Sequence, residues 1–152
     1  MRGAYLLILE IKQAASIQIK SLGSVSFAPG EWVYVGSAMG NGSTSLENRL
    51  LRHFRQEKKI HWHIDYLLSA GAMITKALGI ESKKHIECLL AQTLSDHDNF
   101  LPGPKGFGSS DCRRGCSTHI YHYQGQQPIS TSLRKVLEKL GLSAEATKDG
   151  RL

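Results

Sequence analysis

The chain has 152 residues, enough for one domain. Hydrophobic residues make up 41% and charged residues 21%, ordinary globular usage that excludes a disordered chain. Fifteen glycines without a Gly-X-Y period exclude collagen, and no run approaches the ~20 apolar residues of a membrane-spanning helix. The longest apolar run, from Ala4 to Leu9, closes at Glu10 and has no small-residue cleavage site behind it. A soluble, cytoplasmic protein without a membrane partner is therefore expected. Lys and Arg number 19 against 13 Asp and Glu, a net charge of +6 that suits a polyanionic partner such as nucleic acid. Three cysteines without an export signal point to reduced thiols or a metal site, not a disulfide scaffold.

In chain order, residues 4–11 are almost wholly apolar and read as a buried strand. Ile17 to Lys20 alternates at period two and reads as a second strand, with 13–16 as the hairpin connection. Residues 21–26 and the Pro29-Gly30 turn lead to a third strand over 31–36. The three together predict an antiparallel meander. Residues 39–43 form a loop. Thr44 followed by Glu47 matches a capping box, so a helix is expected to start at Thr44. Leu46, Leu50 and Phe54 give it an apolar stripe, and the polar stretch 56–59 ends it. A short helix over 63–70 stops at Gly71, and a strand follows over 73–80. A helix over 85–94 carries Ile86, Leu89, Leu90 and Leu94 at helical spacing. Residues 101–111 read as a Gly/Pro/Ser loop and 118–123 as a late strand. Leu133, Val136, Leu137 and Leu140 mark a last helix stopped by Gly141, and 143–152 lack periodicity and read as a flexible tail. The expected fold is α/β (α+β), with a small, mainly antiparallel three-stranded core sheet flanked by helices. The expected domain covers 1–125, with 126–142 as a C-terminal helix packed on or extending it.

Three pieces carry chemistry together. Gly3-Ala4-Tyr5 opens the first strand, and Tyr34-Val35-Gly36-Ser37-Ala38 closes the third. Arg49 and His53 stand four apart on the capped helix and share one face. This ordered set resembles the GIY-YIG nuclease family. With Arg52, with Trp62-His63-Ile64-Asp65-Tyr66, with Glu87-Cys88 and with the run from Gly106 to Cys112, it looks like the DUF123-type stand-alone branch over residues 3–123. The resemblance implies a divalent-metal-dependent endonuclease hydrolysing DNA, with RNA left open as substrate. It assigns Tyr5 and Tyr34 to proton work, His53 to orienting a tyrosine or shuttling a proton, and Glu87 to holding Mg²⁺ or Mn²⁺. Arg49 suits the phosphate, because a guanidinium offers its donors as a rigid fork. A nearby metal and Arg49 would lower a phenol pKa from near 10. The late polar residue near the family's metal has no secure match; Asp111 is the candidate. The alternative reading is a non-catalytic nucleic-acid-binding module of the same fold. Targeting by a separate protein partner is compatible with either, and oligomeric state is not legible.

Two further groups stand out. The Gly36–Gly42 segment, Gly36 and Ser37 foremost, can bring backbone amides to a phosphate. Arg52, Arg55, Lys58, Lys59, Arg113 and Arg114 would form a basic rim, and His61 and Trp62 add an aromatic face able to stack a base. The bland reading of the last pair packs Trp62 in the core and uses Asp65 to cap the short helix. Cys112, Cys116 and His119, with Cys88 as fourth ligand, have a spacing that could bind Zn²⁺, the second metal reading after Mg²⁺ or Mn²⁺. In the related branch the two late cysteines stand one residue apart, whereas three residues separate Cys112 from Cys116. The competing reading is a pair of semi-buried thiols beside a basic turn.

Overall fold

The computed structural model describes residues 1–152 as an α+β fold. Its elements are β1 (Gly3–Ile11), β2 (Ala15–Ile19), β3 (Gly23–Phe27), β4 (Gly30–Ala38), α1 (Leu46–Phe54), α2 (His63–Ser69), β5 (Met73–Glu81), α3 (Glu87–Ser95), β6 (Phe100–Pro102), β7 (Ile120–Tyr123), α4 (Ile129–Lys139) and β8 (Glu145–Thr147). The main sheet has six strands in the order β6-β7-β4-β1-β5-β8, not three, and every pairing in it is antiparallel. β1 lies inside this sheet between β4 and β5, covered on both faces. That double burial is why its sequence is a continuous apolar run and not an alternating one.

The expected meander is corrected. β1 pairs directly with β4, while β2 and β3 form a separate two-stranded hairpin. The β3 stretch had been read as a connection. Its alternation is weak, because only Phe27 of its five residues is fully buried. Three further corrections concern short elements. Leu101 and Pro102, expected within the 101–111 loop, join Phe100 in β6 on β7. The late strand starts at Ile120, not at 118. Residues 143–152, expected as a tail, carry β8, which pairs Ala77 with Thr147 and Leu78 with Ala146. Three residues are too few to display a period.

The two sheet faces bury separate cores. One is built from Ala4, Leu6 and Ile8 of β1, Val33 and Val35 of β4, and the apolar sides of α3 and α4. The helix over residues 126–142 therefore packs on the sheet. The other face carries Tyr5, Leu7, Leu9 and Tyr34 against Leu46 and Leu50 of α1, Ile64 and Leu67 of α2, Phe27 and Phe107. The α1 N-terminus falls one residue later than expected. The Ser45 hydroxyl accepts from the Asn48 amide at 3.3 Å, and Thr44 lies in a 3-10 turn, its hydroxyl donating to the Asn41 carbonyl. No helix is long and apolar enough to cross a membrane.

Candidate functional site

The β1–β4 register sets Tyr5 opposite Gly36 and Leu7 opposite Tyr34, so the two tyrosines share one face of neighbouring strands. A Cβ at Gly36 would lie 2.2 Å from the Tyr5 Cζ. Gly36 is thus the floor on which the Tyr5 ring lies. It is buried beneath that ring. The ring reaches α1, where the Tyr5 hydroxyl meets His53 Nε2 at 2.7 Å. Tyr34 approaches the same imidazole edge-on, with ring centroids 6.5 Å apart. His53 is 1% exposed, and its Nδ1 has no hydrogen-bond partner.

Arg49, one turn before His53, donates from its guanidinium to the Ser37 carbonyl at the end of β4. It also lies over the Trp62 ring, 5.1 Å from the centroid, and its buried Nε has no partner. Ser37 holds Arg49 through its carbonyl. Glu87 is the first residue of α3, on the opposite side of the sheet, yet its carboxylate feels the Arg49 charge. Tyr5, Tyr34, Arg49, His53 and Glu87 are thus one electrostatic group around the end of β4.

Burial dominates the ionisation of this group. It pushes both tyrosines well up; the pull of Arg49 on each is smaller. Burial pushes His53 down to about 3, so the imidazole is neutral and its Nε2 can accept a hydrogen bond from the Tyr5 hydroxyl. It raises the Glu87 carboxyl to about 7, with Arg49 pulling down and exposed Asp111 adding to the rise. That rise is the response of a carboxylate whose counter-charge is incomplete, and an oxygen donor of this kind fits a hard divalent ion.

The expected basic rim divides. Arg52 is not free: its guanidinium grips the fully buried Asp65 carboxylate through two bonds of 3.1 and 2.9 Å and also donates to the Lys59 carbonyl. The same carboxylate accepts from the His61 and Trp62 amides, so Asp65 caps α2. Lys58 donates to the His53 and Arg55 carbonyls and closes the C-terminal end of α1. Trp62 is half-buried under Arg52, 4.3 Å from the guanidinium carbon, and against His53. Arg55, Lys59, His61, Arg113 and Arg114 are exposed.

A second cluster lies beside Glu87. Cys88, Cys112, Cys116 and His119 bring their donor atoms within 4.8 Å of one another, and this group could hold a metal ion. All three cysteines are free thiols. Burial pushes Cys88 up to about 12. It works against Cys112 too, but the amides of Arg114 and Cys116 outweigh it and bring that thiol down to about 7. His119 Nδ1 faces Glu87 Oε1 at 3.6 Å. Sequence reasoning missed this link between the two clusters, although Glu87 and Cys88 are chain neighbours. It also missed His63, which accepts from the Gly108 amide at 2.9 Å and meets Ser21 Oγ at 2.8 Å, pinning the 103–119 loop and the hairpin to α2.

Comparison with known proteins gives one assignment. Neither a curated protein nor a solved structure matches the chain. A family model described as a domain of unknown function, DUF123, matches residues 4–142, and the chain belongs to the DUF123 family.

Proposed function

We propose that the protein is a divalent-metal-dependent endonuclease of the GIY-YIG type, hydrolysing DNA phosphodiester bonds at the end of β4. The observation that carries this reading is the 2.7 Å contact of the Tyr5 hydroxyl with a neutral, buried His53, within the electrostatic reach of Arg49 and Glu87. The neutral imidazole fixes the direction of the Tyr5 hydroxyl, and for that phenol to ionise and take a proton from an attacking water, Arg49 and a bound cation would have to offset the burial that holds it protonated. Arg49 would meet the charge that grows on the phosphate. Glu87 would hold Mg²⁺ or Mn²⁺, which would supply Lewis-acid polarisation and a more acidic bound water. The Cys88, Cys112, Cys116 and His119 set is too soft for Mg²⁺ and belongs to a different ion.

One observation favours the second reading, a binding module without catalysis: both phenols are nearly sealed, Tyr5 at 2% and Tyr34 at 7% exposure. The experiment that separates the two is cleavage of labelled linear and branched DNAs with Mg²⁺ or Mn²⁺, beside a binding titration against salt. The nuclease reading expects cleavage by the wild type and a loss of about 100-fold or more in Arg49→Ala and Glu87→Gln, with DNA affinity largely kept. Binding that falls steeply with salt but no cleavage with any divalent ion assigns the binding module. No binding even at low salt removes both.

A further inference from the structure

We propose that Cys88, Cys112, Cys116 and His119 form a structural Zn²⁺ site, with Glu87 as the carboxylate that orients His119 from behind. The inference does not depend on nuclease activity. Bonds of about 2.3 Å to sulfur and about 2.0 Å to nitrogen, arranged tetrahedrally, hold the ligand atoms about 3.7 Å apart. Here Cys88 Sγ lies 3.2 Å from Cys112 Sγ and 4.0 Å from His119 Nε2, and all four donors fall within 4.8 Å. The observed distances bracket the tetrahedral edge. A disulfide between Cys88 and Cys112 would need about 2.05 Å.

Backbone amides are placed to meet charge on two of the sulfurs. Cys88 occupies the first turn of the nine-residue α3, whose unpaired amides favour negative charge. In the Cys112-Arg-Arg-Gly-Cys116 turn, the Arg114 amide donates to Cys112 Sγ at 3.4 Å. Gly115, at a φ of +82°, reverses the chain so that Cys116 returns to the same point.

His119 supplies the independent sign of a ligand. It is 1% exposed, with Nε2 towards the sulfurs and an Nδ1 that lacks a hydrogen-bond partner while facing Glu87 Oε1 at 3.6 Å. A metal-bound imidazole commonly gives its other N–H to a carboxylate, which fixes the tautomer and aims the lone pair. Four protein donors fill a tetrahedron, so the site is closed and structural.

The fold gives the ion a task. Residues 103–119, 17 positions by 119 − 103 + 1, form no helix or strand, yet they sink Phe107 fully into the core and wall Tyr34 with Gly108. A loop this long needs a fastening. Three ligands lie on its second half and the fourth on α3, so the ion clips the loop to the helix that begins with Glu87. Binding releases the thiol protons to solvent as the metal–sulfur bonds form.

The test uses the purified full chain. Metal analysis after zinc loading and desalting is expected to find a single zinc ion per chain. Cobalt exchange should give the thiolate-to-metal charge-transfer and intense visible bands of a tetrahedral thiolate site. His119→Cys should keep the ion with a shifted cobalt spectrum, whereas Cys116→Ser should lose affinity at least tenfold. Chelation should open the 103–119 loop to protease and leave all three thiols titratable. If Cys116→Ser does not fold, the wild-type cobalt spectrum decides by itself. A Cys88–Cys112 disulfide in the fresh protein, a weak octahedral cobalt spectrum, or no retained zinc with all thiols reduced would overturn the proposal.

Discussion

The two faces of the sheet bury cores of equal size, 17 residues each, and differ in how their polar atoms are treated. On the α3/α4 face, every tyrosine is finished. Tyr121 donates to the Ala91 carbonyl at 2.9 Å with the Thr118 carbonyl at 3.1 Å, and Tyr123 reaches the Gln127 carbonyl at 2.6 Å and Ser132 Oγ at 3.0 Å. On the α1/α2 face, Tyr5 faces a titratable imidazole, and two buried nitrogens, Arg49 Nε and His53 Nδ1, are left without partners. Buried polar atoms are ordinarily satisfied; of the three buried side-chain nitrogens without partners, two meet on this face and the third, His119 Nδ1, belongs to the cysteine cluster beside α3. The lesson is that an equal amount of burial builds a scaffold on one side and a candidate reaction site on the other.

The comparison breaks first at Arg52. Its pair with Asp65 holds the start of α2, and Arg52→Ala leaves a fully buried carboxylate with amide donors only. A loss of about 3 kcal/mol is expected in denaturant unfolding. If Arg52 instead served the DNA alone, stability would hold and only affinity would fall.

Acid probes the same face. His53 stays neutral in the folded chain down to about 3 but protonates near 6.5 when unfolded. The folded pKa lies below the unfolded one, so the unfolded state binds the extra proton across that window. Stability should fall as pH drops from about 6.5, by up to about 1.4 kcal/mol per unit. Burial lowers His63 and His119 in the same direction, whereas Glu87, raised to about 7 by burial, takes up a proton in the folded state across this window and opposes the slope. Asp65, held low by Arg52 despite its burial, contributes stability that is lost only below the usual carboxylate range, outside this window. Melting temperatures measured between about pH 7 and pH 5 should show a shallower slope in His53→Gln than in the wild type.

Gly36→Ala sharpens the contrast sterically. The new methyl would sit within bonding distance of the Tyr5 ring, so the ring must leave His53 or the strands must part. A destabilisation of about 1–3 kcal/mol is expected, with the Tyr5 fluorescence or NMR signals shifted. The smallest effect belongs to the finished face: Tyr121→Phe should cost about 1 kcal/mol in unfolding and nothing in cleavage rate.

Much of this was legible in the sequence, and for stated reasons. β1 and β4 announce themselves by apolar runs because both their faces are covered, and α1 by Leu46 and Leu50 on its buried side. The grouping of Tyr5, Tyr34, Arg49, His53 and Glu87 came from a resemblance of ordered motifs; no spacing rule would have carried Glu87 from α3 to the other side of the sheet. The hairpin's detachment, β6 and β8 were not legible, since pairing partners and three-residue strands leave no local period. The fate of Arg52 and Lys58 was also hidden. A sequence shows their charge but not that Asp65 and the end of α1 consume it.

The central proposal is that the α1/α2 face, joined by Glu87 from the start of α3, does chemistry while the rest of the α3/α4 face holds it in place. It is tested most directly by comparing Tyr5→Phe with Tyr121→Phe for Mg²⁺- or Mn²⁺-dependent DNA cleavage at saturating substrate, with thermal melting as control. The account predicts wild-type cleavage that is lost by about 100-fold or more in Tyr5→Phe and kept in Tyr121→Phe, with both variants folded. Equal rates in the two variants, or a wild type that cleaves no substrate, would contradict it.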